Sequence, residues 1–126
     1  MNNSIENIIK ENQIMIIDGS MSTPLENMGV SLNSKLWTAK ILAEQPDLIK
    51  QVHKNYFRAG ADCGITCSYQ ASIPGLTENG YSLEEAENLI RNAVKIFATK
   101  ACLWHHRRSK TFTNALPMLY YLCMTG

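Results

Sequence analysis

Residues 59–72 read AGADCGITCSYQAS, and the fold turns on what this stretch is. Two cysteines four apart, Cys63 and Cys67, raise the prospect of a metal site. The small and apolar alternation running into Thr-Cys-Ser-Tyr-Gln reads instead as a buried strand over 61–70 that is reaching its end. Strand geometry separates the two. A rise of about 3.3 Å per residue sets the two thiols roughly 13 Å apart on one face. Two thiolates on one zinc ion lie within ~4 Å of each other. The stretch is expected to be a strand whose small cysteines pack under helices, not a chelate.

Upstream, Ile14-Met15-Ile16-Ile17 is a continuous apolar run halted by Asp18-Gly19. Such a run fits a strand covered on both faces, as in a parallel sheet. Between the two expected strands lie helix signals. Ser22-Thr23-Pro24 starts one and Gly29 stops it; Leu36 to Ala43 is a second, short one. Pro46-Asp47 opens a third, with Leu48, Ile49, Val52, Tyr56 and Ala59 at helical spacing and Gly60 at the C-terminal cap. His53 is expected at the surface or boundary of that helix. Ser4 caps a leading helix on which Ile5, Ile8 and Ile9 share a face.

Downstream, residues 73–80 carry Pro74, Gly75 and Asn79-Gly80 and read as loop. Ser82 and Glu85 have the spacing of a capping box. Leu83, Ala86, Leu89, Ile90, Ala93, Val94 and Phe97 then mark one face of a long helix. The order of helix, strand, helices, strand, helix is an α/β pattern, each strand followed by a helix that returns the chain for a parallel partner.

The composition is that of an ordinary soluble domain: 126 residues, 45% hydrophobic, 18% charged, net charge +1. No charge excess argues for nucleic acid or a membrane, and no apolar run reaches the ~20 residues of a bilayer span. The N-terminus lacks a basic start, and four cysteines fit reduced thiols, so a cytoplasmic location is expected. The charge is uneven. All eleven acidic residues fall between Glu6 and Glu87, and residues 88–126 hold six Lys/Arg and no acid. After about residue 100 the periodicity dissolves. Cys102, His105, His106 and Cys123 lack the second closely spaced pair of a structural zinc site, and HHRRSK has no aromatic interleaving that would suggest nucleic-acid binding.

Functional groups of strand–helix folds collect at the carboxyl ends of strands. Here these are Asp18, Gly19 and Ser20 after the first run and Thr66, Ser68, Tyr69 and Gln70 after the second. Asp18 is placed to accept hydrogen bonds from a substrate ammonium group, or to cap a turn. Gly19 permits close backbone approach. Thr66, Ser68 and Tyr69 serve either a ligand or ordinary strand-end hydrogen bonding.

IMIIDGSMSTPLENMG, LWTAKILAEQPDLIKQVHKNYFRAGADCGITCSYQAS and SLEEAENLI together resemble the N-terminal part of bacterial homocysteine S-methyltransferases, over about residues 8–99. The resemblance implies a (β/α)8 TIM barrel, of which residues 1–99 supply about two β/α units. It also implies methyl transfer from S-methylmethionine or S-adenosylmethionine to homocysteine, giving methionine. By resemblance Asp18 and Gly19 help hold the amino-acid end of homocysteine, and Thr66, Ser68 and Tyr69 lie on the same rim. The family's zinc, which binds the homocysteine sulfur, is held by three cysteines, two of them in a Gly-Gly-Cys-Cys motif. Neither ligand motif occurs in these 126 residues, and the four cysteines present are not those ligands. Residues 100–126 are expected to be a divergent, irregular tail, through a reading-frame shift near Lys100 or as a lineage-specific segment. The chain alone is expected to be inactive, a decayed fragment or small interaction module being the alternative. Self-association or a complementing C-terminal chain are the expected partnerships.

Overall fold

The computed structural model describes residues 4–34, 36–68 and 71–105. Six helices follow one another: α1 (Ser4–Asn12), α2 (Ser22–Asn27), α3 (Trp37–Glu44), α4 (Pro46–Ala59), α5 (Ile73–Glu78) and α6 (Leu83–His105).

Local chemistry explains most of the boundaries. Pro46 opens α4, where its missing N–H costs nothing. Gly60 closes it at φ 112°, a left-handed cap that side-chain-bearing residues avoid. The Ala61 amide reaches back to the Tyr56 carbonyl at 3.1 Å, satisfying one of the helix's last acceptors. At the start of α6 the expected capping box is complete. The Ser82 amide donates to Glu85 Oε2 at 2.8 Å, and the Glu85 amide donates to Ser82 Oγ at 3.2 Å.

The 73–80 segment, expected to be loop, contains α5. Ser72 is its N-cap, with Oγ accepting from the Gly75 amide at 3.2 Å. Pro74 sits in the first turn, and Gly80 lies just beyond the end at φ 92°. The residues read as breakers are the punctuation of a short helix.

The larger correction concerns the strands. Among the described residues neither 14–17 nor 61–70 forms a strand; the two segments meet in one parallel bridge, Ile17 with Cys63. The Asp18 amide donates to the Cys63 carbonyl at 2.9 Å, and the Asp62 and Cys63 amides donate to the Ile16 carbonyl at 2.8 and 3.1 Å. The register expected for parallel neighbours is there, but the ladder does not lengthen. A parallel ladder is sustained by further strands and by cover on both faces. Here Ile14, Ile16, Ile17 and Ile65 stay exposed, Ile65 at 65%.

The core lies on the other side, among the helices. Leu25, Ile49, Val52 and Leu76 are wholly buried, with Ala86, Leu89, Ala93 and Ile96 of α6 closing over them. α6 packs most extensively on α4 and also meets α3 and α5. It runs to His105, past the position at which irregular structure was expected. His106 and Cys123 lie outside the described residues.

Candidate functional site

The bridge brings the two expected loop ends to one edge. Asp18 follows the first segment, and its carboxylate accepts the Ile65 amide with Oδ1 at 3.1 Å and Oδ2 at 3.2 Å. The Asp62 carboxylate makes the reciprocal bond, Oδ2 accepting from the Ile16 amide at 3.1 Å. Two aspartates thus tie the segments together where backbone pairing is short. The Asp18 side chain is only 3% exposed. Its burial raises the carboxyl pKa from its ordinary value, the Ile65 amide opposing that shift.

Gly19 is exposed, and its Cα lies against Tyr56. A β-carbon here would come within 2.9 Å of the Tyr56 hydroxyl oxygen. That hydroxyl donates to the Ser20 carbonyl at 2.8 Å, fixing the path of the 18–20 loop. Ser20 Oγ pairs with Ser22 Oγ at 2.9 Å, which orders the entry to α2. Thr66 and Ser68 follow Ile65 and are half-buried, their hydroxyls bonded to each other at 2.9 Å. Tyr69 and Gln70 lie outside the described residues.

His53 differs most from the sequence reading. Expected at the surface or boundary of α4, it is completely buried. It stands four residues after Ile49 and four before Phe57, so it belongs to the stripe that α4 turns inward. Its ring meets Phe97 edge-on at a centroid distance of 5.0 Å. Nδ1 stands 3.7 Å from Asp18 Oδ2, and neither ring nitrogen has a hydrogen-bond partner among the described residues. Burial lowers its pKa to about 4, so the imidazole is neutral near pH 7. The signal in the sequence was the position of His53 within the Ile49–Phe57 stripe, together with Tyr56 one turn on.

No group of three or more His, Cys, Asp or Glu side chains among the described residues is placed to hold a metal ion. Cys67 is buried, with its thiol pushed up to about 12 by desolvation. Cys63 is half-buried and raised by desolvation and then by the neighbouring Asp18 charge. A structural zinc takes four ligands, and among the described residues neither thiol stands in a group of three or more potential ligands. These residues do not fit the zinc that the family resemblance implies.

The helices and their one bridge have the shape of part of a solved methyltransferase. The metallated form of the homocysteine methyltransferase MmuM from Escherichia coli superposes with a TM-score of 0.78 at 35% identity, over 86% of this chain and 38% of that one. The family description Homocysteine S-methyltransferase matches residues 15–115, and the chain belongs to that family. It is 50% identical over 96 residues to the homocysteine S-methyltransferase YbgG of Bacillus subtilis, covering 76% of this chain and 30% of that protein. To the homocysteine S-methyltransferase of Escherichia coli it is 41% identical over 95 residues, 75% of this chain and 31% of the relative. The chain thus spans about a third of the length of these relatives. The family match, like α6, continues past Lys100. Among the described residues no helix is long and apolar enough to cross a membrane.

Proposed function

We propose that this chain carries the homocysteine-holding rim of a homocysteine S-methyltransferase, built as the first β/α units of a (β/α)8 barrel. One observation carries the reading: a family member places Asp18 and Gly19 at the edge where its two parallel segments meet, with Tyr56 bracing the loop. A carboxylate offers about four lone-pair directions, and the Ile65 amide uses one side of Asp18. The remaining capacity suits a substrate ammonium group, with the exposed Gly19 backbone beside it. Thr66 and Ser68 supply neutral hydrogen-bonding groups beside it, and by family resemblance Tyr69 is proposed to join them.

In the reaction, the homocysteine sulfur attacks the methyl carbon of a sulfonium donor. The new S–CH3 bond forms as the donor's C–S bond breaks, its electron pair returning to the donor sulfur. The thiol proton must leave first. Nothing among the described residues activates that thiol. The chain's own part is to bind and orient. By itself it binds homocysteine weakly and does not transfer methyl. The test is to incubate purified chain with homocysteine and S-methylmethionine and to assay methionine, expecting none. Added zinc-binding barrel half from a relative is expected to restore turnover, and Asp18→Ala to abolish that restoration. Turnover by the 126-residue chain alone would refute the assignment.

A second reading, a non-enzymatic fragment or interaction module, draws on the exposed Ile14, Ile16, Ile17 and Ile65 edge. A chain that recruits no barrel half and binds no homocysteine would favour it.

A further inference from the structure

α4 supports the 18–20 loop with two side chains one turn apart. Tyr56 takes the Ser20 carbonyl, and His53 lies under Asp18. A fully buried imidazole with two unpartnered nitrogens is costly unless it serves something, since each lost hydrogen bond leaves a desolvation penalty uncompensated. The group that Nδ1 faces at 3.7 Å is the Asp18 carboxylate, roughly 0.7 Å beyond an ordinary N–H···O bond. Gly64 and Phe97 wall the pair in. A β-carbon at Gly64 would lie 2.6 Å from Phe97 Cε2 and 2.7 Å from Asp18 Oδ2. The carboxylate therefore has little room to turn, and Phe97 holds the imidazole edge-on.

We propose that His53 is the positioning residue of Asp18: with its proton on Nδ1, the imidazole closes the 3.7 Å gap to Oδ2, donates to it and aims the carboxylate at the rim. Ile65 and His53 then hold the carboxylate from two directions, and a ligand would meet it at the small edge that stays exposed. A neutral donor suits this task. It orients the carboxylate without cancelling its charge, so the attraction for a cationic group survives. The role as positioner of a substrate-binding group rests on the function proposed for Asp18. The hydrogen bond itself does not, and the test separates the two.

Nitrogen-15 NMR of the histidine-labelled full chain at pH 7 reads the tautomer directly. The expected result is a neutral ring with the proton on Nδ1, and a clear Nδ1 shift change in Asp18→Asn, which weakens the acceptor. A ring protonated on Nε2, or nitrogen shifts indifferent to Asp18→Asn, would overturn the proposal. Carbon-13 titration of the Asp18 carboxyl gives the second readout. His53→Leu raises its pKa, and His53→Asn, whose amide can reach from the Nδ1 position, restores most of the change. A purely structural role would move neither tautomer nor rescue. Homocysteine titrated into the same samples then tests the function separately. If the tautomer is as expected and homocysteine leaves the Asp18 signal unmoved, the hydrogen bond stands and the substrate role of Asp18 falls.

Discussion

Gly64 is packed between Phe97 and Asp18 so closely that any side chain there must displace both of them. Gly64→Ala is expected to lower stability by about 1–3 kcal/mol, the usual cost of overpacking, measured by urea unfolding. His53 gives the chain an acid-sensitive point. Its pKa is about 4 in the folded chain against the ordinary 6.5 of a free imidazole, so between those values the unfolded state binds the extra proton. Its contribution is complete above pH 6.5 and is lost as pH falls towards 4, by about 3 kcal/mol at most. Asp18, whose pKa is raised, acts in the opposite sense, its protonation favouring the folded state. A urea series from pH 7 to pH 4 should show the loss in the native sequence and a flatter profile in His53→Leu. That Asp18, Gly19, Thr66 and Ser68 lie where the two segments meet was legible in the sequence because they follow apolar runs, and Asp-Gly announces a chain reversal; their substrate role is the proposal. His53 was not, because the type of a residue says little about burial when a stripe of helix can carry a polar ring inward.

At the level of elements, legibility followed the length of the repeating signal. α4 and the start of α6 were readable from both ends, since Pro46, Gly60 and the Ser82–Glu85 box act through local bonds alone. α5 was hidden because a helix of six residues has no period to display, and its Ser72 cap looks like any loop serine. Ser72→Ala should therefore cost about 1 kcal/mol, as loss of an N-cap does, read from the urea midpoint. The same change at a loop serine would do nothing measurable. The strands failed in a different way. The runs 14–17 and 61–70 were apolar enough, and they met side by side in parallel, but a strand is a property of its neighbours. With one partner each and no cover on the outer face, they yield a bridge.

The whole molecule is consequently two-sided. A helical core is sealed by α6, and the edge opposite presents four exposed isoleucines around the bridge. Edges of that kind recruit other chains. Light scattering after gel filtration should show species heavier than the monomer, growing with protein concentration. A strictly monomeric chain over a hundredfold dilution would contradict this. The bridge also sets an order of events in time. Ile16 and Asp62 are 46 residues apart, so their contact closes a long loop for a return of a few hydrogen bonds, whereas helices form locally within about a microsecond. The junction beneath Asp18 is then the last part to assemble and the first to open, and the amides of Asp18 and Ile65 should exchange their hydrogens with water while the centres of α4 and α6 still hold theirs.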